Sequence, residues 1–556
     1  MKKTTFTLLA VILILQTKAQ FVQNAFSLGG TGYDGITSVI PDPNNGWIVS
    51  GYFQNSIDLD PGEATYTLTA TPGTYGRFIC KYNINFQPTQ SVVFPAAMAI
   101  TNLSIDANNN IYASGSLGGN LQVDANPGAG QYFLQPEGGG DAFVCKLNPD
   151  FEFLWATSIG GNSGEGLKEM SISADGNIVL AMNTTSIIEL NTINGLETFD
   201  ASMSFGIPFV VSLDTDGVIQ WGALFTGTPY LSTLQPMGLD SQGNIYITGS
   251  FEYTMDADPG ESVYTIALDE QGWDNFIVKL NPSGDLVWAY AFGNPPYDSD
   301  YAFNVEVSPT DVISIAGGGQ GQFDIDPTEG EYLLTNTQGC GYVLNLTSDG
   351  EFIDVWEFFG SGYLNLIISE IHYDNAGNCY CVLPCTSNCD LNPGEESLPA
   401  IGTYIVKMGP DGNFVSSYSL PAQGINVAEI YTDENDNMII NGTIYSTTGA
   451  TFQTVNGDVP LANNGIEDLY ILAAAPCENS GCLDNTACNY NPDALCDSGN
   501  CIYSEPTDFD CNGAVGVSDL LEMISEFGCL SNCGDLDIDQ DGLVGANDLI
   551  ILLGEM

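Results

Sequence analysis

The chain is poor in cations, in histidine and in long apolar runs. Its 556 residues hold nine Lys and Arg against 69 Asp and Glu, a formal net charge of −60. Nucleic-acid affinity comes from Lys and Arg displacing counterions, so this balance excludes a nucleic-acid partner. An anionic membrane surface is disfavoured for the same reason, whereas divalent cations are natural partners. There is one arginine, Arg77, and one histidine, His372. A cluster of arginines gripping a carboxylate therefore cannot be built, and a Ser-His-Asp triad would have to use His372. Beyond the first twenty residues no apolar run approaches the twenty or so needed to span a bilayer, so no membrane span is expected.

What is present is turn-rich and apolar. Hydrophobic residues make up 44% and aromatics 11%, enough to bury cores, and 63 glycines with only 14% charged residues favour β structure over long salt-bridged helices. The length calls for more than one domain. Residues 1–19, MKKTTFTLLAVILILQTKA, carry two lysines, an apolar stretch at 6–15 and a small residue before Gln20. They read as a secretory signal peptide cut after Ala19, which places the 15 cysteines in a disulfide-permitting compartment. Removing that leader leaves six cations against the 69 acids.

Two segments recur in step along the chain. One is a turn followed by an alternating strand, anchored at Trp47, Ile111, Ile178, Ile245, Ile313, Cys379 and Met438, with spacings of 64, 67, 67, 68, 66 and 59. The other is FICKYN (78), FVCKLN (143), FVVSLD (209), FIVKLN (276), YVLNLT (342), YIVKMG (404) and LYILAA (469). Each unit reads as four short strands; in the fourth they are expected at 234–239, 245–251, 276–280 and 286–292, joined by Asx/Gly turns. Four-stranded units at this period suit propeller blades. The seventh unit stops after its third strand, while FVQNAFSLGG (21–30) matches the outer strand of other units. The N-terminal strand should therefore complete the last blade. The expected fold is mainly β: a seven-bladed β-propeller closed by its N-terminal strand, over residues 20–475.

The elements DSQGNIYITGSF (240–251), DADPG (256–260) and DNFIVKLNPSGDLVW (274–288) resemble the repeats of bacterial SBBP-type β-propellers, and the resemblance covers about residues 21–475. It implies a secreted or surface propeller and no particular reaction. Turns such as LTSDGEFIDVW (346–356) are similar to those of sialidases, but such enzymes need several arginines and Arg77 stands alone.

Between the second and third strands every unit carries an excursion of roughly 20–30 residues, longer than a hairpin needs, all on one face. That face is the expected functional one. Acidic turns recur there: IDLDPGE (57–63), MDADPGE (255–261), FDIDPTEGE (323–331) and CDLNPGE (389–395). Their aspartates suit Asx-turns that take backbone N–H groups, Ca²⁺ binding, or contact with a glycan. His372 could join Cys379, Cys381, Cys385 and Cys389 around zinc, although disulfides are the better reading in an exported chain. Cys80 and Cys145, at equivalent strand positions, read as buried thiols.

After Ala475 the composition changes. Residues 476–506 include GCLDNTACNYNPDALCDSGNCIY (481–503), a small Cys-rich module with too little apolar content for a core, whose four cysteines allow three pairings. It resembles a Cys-rich segment of large surface proteins of marine Bacteroidota. Residues 507–556 hold two calcium loops, DFDCNGAVGVSD (508–519) and DIDQDGLVGAND (537–548), each opening a helix. Ligand oxygens fall on Asp508, Asp510, Asn512, the Ala514 carbonyl and Asp519, and again on Asp537, Asp539, Asp541, the Leu543 carbonyl and Asp548. Two Ca²⁺ sites are expected, and the ion should fold this tail. The duplicated loop-plus-helix resembles dockerin type I, which implies docking onto a cohesin. The Ser/Thr recognition pair of that family is replaced here by Val517-Ser518 and Ala546-Asn547.

The functional expectation is an exported, non-catalytic binding or adhesion protein, extracellular or on the outer cell surface. Its propeller face would recognise a glycan or a cell-surface protein, and its tail would dock a cohesin-like or other partner. The alternatives are a carbohydrate-active enzyme, hydrolase or lyase, attached through the tail, and a structural surface-layer spacer. No convergent catalytic set is visible in the sequence.

Overall fold

The computed structural model describes residues 22–474 except positions 31, 45, 63, 120, 203–205, 228–230, 268–272, 294–300, 320–321, 329, 335–339, 360–366, 390–399, 422–424, 434–436, 447, 455–456 and 464–466, and beyond them 480–481, 496–497, 507, 509, 515–529, 536, 538–539 and 543–555. The leader lies outside the described residues. One compact unit spans Val22–Ala475, and the later residues belong to a second.

The first unit is mainly β. Six antiparallel four-stranded sheets follow one another along it, and a further sheet of six strands takes in Val22–Gly30 and the hairpin Ser56–Asp58 with Thr67–Thr69. The fourth consists of Leu231–Leu239, Ile245–Glu252, Trp273–Leu280 and Leu286–Phe292. Sequence reading placed these strands to within a few residues, because the Asx/Gly turns between them fix where each must end. In the seventh sheet Ile425–Thr432, Met438–Ile444 and Asp468–Ala474 are joined by Val22–Gly30, whose Ala25, Phe26, Ser27 and Leu28 face Leu472, Ile471, Tyr470 and Leu469.

Second and third strands are buried on both faces and read as near-continuous apolar runs: Ile207–Leu213 and Cys340–Leu346 are buried throughout. Those faces meet between sheets. One core cluster joins the first and second sheets through Ile48, Ile79, Ile111 and Phe143. Another joins the third and fourth through Val210, Leu234, Ile247 and Phe276. A third joins the seventh to the first through Ile439, Leu469, Val49 and Phe78. The first strands also pack each on the next, and Ile425–Thr432 of the seventh sheet packs on Gly35–Asp42 of the first.

A polar latch accompanies these contacts. Asp240 closes the turn after the first strand by accepting the N–H groups of Gln242 and Asn244, both at 2.9 Å, and the Tyr246 hydroxyl at 2.9 Å. Lys279 lies 3.7 Å from that carboxylate and donates to the Ser348 carbonyl of the following sheet at 2.7 Å, where the Trp288 indole also donates at 3.2 Å. Asp106, Lys146 and Trp155 repeat the arrangement on the Thr215 carbonyl. The KLN…W sequence pattern is therefore a joint between sheets.

Glycine pairs ending the outer strands have a related cause. A Cβ on Gly29 would lie 2.5 Å from the Asp468 carboxylate, and one on Gly160 2.4 Å from that of Asp141. No larger residue fits over these buried acids.

In the second unit, helices Val517–Ser525 and Ala546–Glu555 enclose a small core of Met523, Val544 and Leu552. Of the Cys-rich stretch only 480–481 and 496–497 are described, as a short parallel pair. No described helix is long and apolar enough to cross a membrane.

Candidate functional site

The innermost strand of most sheets carries a bulge at the same place: between Ile36 and Ser38, Ile100 and Asn102, Leu167 and Glu169, Ala302 and Asn304, Val427 and Glu429. Each bulge re-aims the residue after it. The aligned residues Ser38, Asn102, Glu169, Pro236, Asn304, Glu370 and Glu429 form a belt that links neighbouring sheets. Ser38 Oγ accepts the Leu103 N–H at 3.2 Å, Asn304 donates to Glu370 at 2.9 Å, and Glu429 accepts the Val39 N–H at 3.1 Å. Pro236 is the one belt residue without a polar side chain.

Two residues further along the strands lie Glu306, His372 and Tyr431. His372 Nδ1 sits 3.3 Å from Glu306, and its Nε2 lies 3.0 Å from the Thr432 hydroxyl. Burial pushes the Glu169 and Glu429 carboxyls up to about 8, against an ordinary 4.5. Burial raises Glu370 well above its usual range, with the charges of Glu429, Glu306 and Glu169 adding to it. All three residues are half-buried. Proton-holding acids of this kind can donate as well as accept hydrogen bonds. Among the described residues no three acids, histidines or cysteines converge closely enough to hold a metal ion.

His372 does not meet the cysteines. It lies on the inner strand, opposite Tyr380, while Cys379 and Cys381 point into the core between the fifth and sixth sheets. Their Sγ atoms are 3.9 Å apart and unbonded, so for this pair the disulfide reading is corrected: both are buried thiols. Cys80 and Cys145 are buried thiols too, as their strand positions indicated, and burial pushes the Cys80 thiol up to about 12.

The long excursions are ordered hairpins. Ser56–Asp58 pairs with Thr67–Thr69, Ile187–Thr192 with Gly195–Asp200, and Thr254–Asp256 with Thr265–Ala267. Several are stitched to the outer strand of the preceding sheet: Asp58 faces Gly29, Asp256 faces Thr226, and Asp324 bridges Gly293. In the acidic turns the first aspartate takes two backbone donors. Asp58 accepts the N–H of Asp60 and Tyr66, Asp256 those of Asp258 and Tyr264, Asp324 those of Asp326 and Tyr332. Asp124 does the same at 123–130, a turn that sequence reading passed over. This is Asx-turn chemistry. The fourth turn, at 389–395, lies outside the described residues apart from Cys389.

At the same edge of the first sheet lies an open cleft of about 310 Å³ lined by Tyr33, Tyr52, Tyr75 and Arg77. Tyr52 and Arg77 face each other across neighbouring strands, as do Gln54 and Tyr75. The guanidinium carbon stands 5.3 Å from the Tyr52 ring centre and 5.9 Å from that of Tyr75. Gly35 passes close beneath: a Cβ there would be 2.5 Å from the Tyr52 ring. Burial lowers the Arg77 pKa, with the neighbouring tyrosines opposing it. Its Nε is buried with no hydrogen-bond partner. Sequence reading used Arg77 only as a reason to dismiss enzymes; residues 33, 52, 75 and 77 are drawn together by register, which no local pattern displays.

In the tail, Asp508, Asp510, Asn512, Ala514, Asp537 and Asp541 lie outside the described residues. The last loop residues are described and match each other. Asp519 accepts the N–H groups of Phe509 at 2.7 Å and Gly516 at 2.8 Å; Asp548 accepts those of Asp539 at 3.0 Å and Gly545 at 2.8 Å. Both carboxylates are buried at the start of a helix. An oxygen-only donor set of this kind fits a hard divalent cation such as Ca²⁺.

No protein-family profile matches the chain, and no curated protein matches it in sequence. Among solved structures it is similar to virginiamycin B lyase from Staphylococcus aureus, at 10% identity and a TM-score of 0.28 over 68% of this chain and 95% of that one. A PL25 ulvan lyase gives 10% identity and a TM-score of 0.37 over 77% and 92%. A Synechocystis apocarotenoid oxygenase variant gives 9% and 0.33 over 82% and 98%. Likenesses this distant carry no argument about activity.

Proposed function

We propose that the chain is an exported, non-catalytic recognition protein. The reading has three parts: a seven-bladed propeller closed by the N-terminal strand, a face of excursion hairpins that binds a glycan or a cell-surface protein, and a dockerin-like tail folded around two Ca²⁺ ions that docks a surface partner. The observation that carries it is the stitching of the hairpins to the preceding sheets. Excursions fixed at both ends offer a preorganised surface, which lowers the ordering cost of binding. The matched Asp519 and Asp548 geometry supports the calcium part. With Ca²⁺ bound, those residues, with Asp508, Asp510, Asn512, Asp537, Asp539 and Asp541, would hold the ions, and the ions would supply folding energy to the two helices.

A second reading, a carbohydrate-active enzyme attached through the same tail, draws on the belt, where proton-holding Glu169, Glu370 and Glu429 stand near Glu306 and His372. Retaining or inverting hydrolysis needs one acid that holds a proton beside one that does not.

One experiment separates the two. The calcium-loaded chain is incubated with a panel of polysaccharides, and binding and new chain ends are scored together. Binding without cleavage is the expected result. New ends that vanish in Glu370→Gln would overturn the recognition reading. A chelator should melt the helical signal of the tail and leave the β signal unchanged; a tail indifferent to chelation would remove calcium from the account.

A further inference from the structure

We infer that the Arg77 cleft is a binding site for an anionic sugar, a pyranose unit bearing a carboxylate or a sulfate; this rests on the recognition reading and names its ligand class and locus. The argument begins with what the other described cations do. Lys81, Lys146, Lys279 and Lys407 each pair with an aspartate at 3.3–3.7 Å, and Lys168 is exposed to solvent. Arg77 is different. Among the described residues no carboxylate pairs with it, in a chain carrying 69 of them. Its head stands beside an edge-packed pair of tyrosine rings, and its buried Nε has no acceptor.

A half-buried cation without an anion is costly unless something supplies the missing charge. A packing role does not explain it, since a methionine or leucine would fill the same space without that cost. Arg77 is half-buried rather than fully exposed, and burial disfavours its charged form.

The shape of the cleft narrows the ligand. Guanidinium presents its donors as a planar fork that matches the two oxygens of a carboxylate or sulfate. Tyr33 and Tyr75, each 38% exposed, offer ring faces and hydroxyls at the mouth, while Tyr52 forms the floor. The tyrosines give an apolar body with a polar edge, which is what a sugar ring presents in return. About 310 Å³ suits one or two sugar units rather than a peptide. The same register that sets Arg77 opposite Tyr52 holds the cleft rigid, so its geometry is preformed.

Because Arg77 is the chain's single arginine, the test needs no mutation to begin. The intact calcium-loaded protein is treated with butanedione, and modification of the Arg77 peptide is followed by mass spectrometry with galacturonate oligomers, sulfated galactan oligomers or neutral galactan oligomers present. At least fivefold slowing by one or both anionic sets, and none by the neutral set, is expected, and the two anionic arms show which oxyanion is preferred. Equal protection by neutral sugar, or protection by none, overturns the inference. Calorimetry with Arg77→Gln and with Tyr33→Ala then reads the site directly. The first should lose at least tenfold in affinity and the second several-fold, with unchanged melting temperatures. If the parent protein binds anionic glycans and Arg77→Gln binds them equally well, the cleft assignment falls while the recognition reading stands. If the parent binds no glycan at all, the cleft and the glycan branch of that reading fall together.

Discussion

The latches between sheets and the belt along the innermost strands both bury acids, and the two regions treat them in opposite ways. Burial alone would raise Asp240, but hydrogen bonds from Asn244, Tyr246 and Gln242 outweigh it and hold the carboxyl below its usual range; Asp106 behaves alike. Lys279 and Lys146 stand beside them. Glu169 and Glu429 are raised, because burial meets few donors and further acids lie nearby. A buried acid keeps its charge where its donors outweigh burial and is pushed toward its protonated form where they do not.

The largest effect should come from removing one latch cation. Lys279→Met leaves Asp240, whose side chain is fully buried, without its counter-charge, and also removes the bond to the Ser348 carbonyl. Urea unfolding should show a loss of about 3–5 kcal/mol. Lys168→Ala, at an exposed belt position, should stay within about 0.5 kcal/mol. Equal losses in both variants would erase the distinction between the regions.

Next in size is the pH dependence, whose sign differs between the two. A carboxyl raised in the folded state favours folding fully below its unfolded pKa and loses that contribution as pH rises through the folded value. Glu169 and Glu429 should therefore weaken the fold between about pH 4.5 and 8. Glu169→Gln and Glu429→Gln should each flatten this limb, worth on the order of 2 kcal/mol at pH 8.5 once solvent screening is allowed for, and change little at pH 4.5. Asp106 and Asp240 are depressed, so their contribution is present above 3.8 and disappears as pH falls through their folded values. Melting temperatures from pH 2.5 to 9 should trace both limbs; a belt variant that alters only the acid limb contradicts the assignment.

Within the latch a smaller change is expected for Trp288→Phe. It deletes one N–H donor to the Ser348 carbonyl while Lys279 keeps that carbonyl satisfied, so about 1 kcal/mol should be lost. A loss as large as that of Lys279→Met would mean that the indole, and not the charge pair, holds the joint.

Legibility in the sequence followed the same division. The parts of the latch were visible as a repeat because they recur at fixed offsets: the aspartate of the turn, the lysine of KLN and the tryptophan nine residues beyond it. The match of residues 21–30 to outer strands was visible for the same reason. The belt was not, because its aligned positions hold Ser38, Asn102, Glu169, Pro236, Asn304, Glu370 and Glu429, three side-chain chemistries and a proline, aligned by a bulge rather than by a pattern. His372 was read with the cysteines since they are close in sequence. Strand pairing instead turned His372 toward Glu306 and sent Cys379 and Cys381 into the core. The excursions were legible as insertions, but their stitching to a neighbouring sheet depends on which strand ends beside them.

The strand Val22–Gly30 leaves the ribosome well before the strand it pairs with, Asp468–Ala474, the last of its unit to be made. At about 5–20 residues per second, the interval between Leu28 and its partner Leu469 lasts about 20–90 s. For that time the first strand offers unpaired N–H and C=O groups to any passing chain, including another nascent copy. A ribosome that stalls before residue 468 would release a product whose leading strand never finds its mate. The six cross-strand partners from Val22 to Leu28 thus act as a completeness check on synthesis, met only when the whole repeat array has been translated.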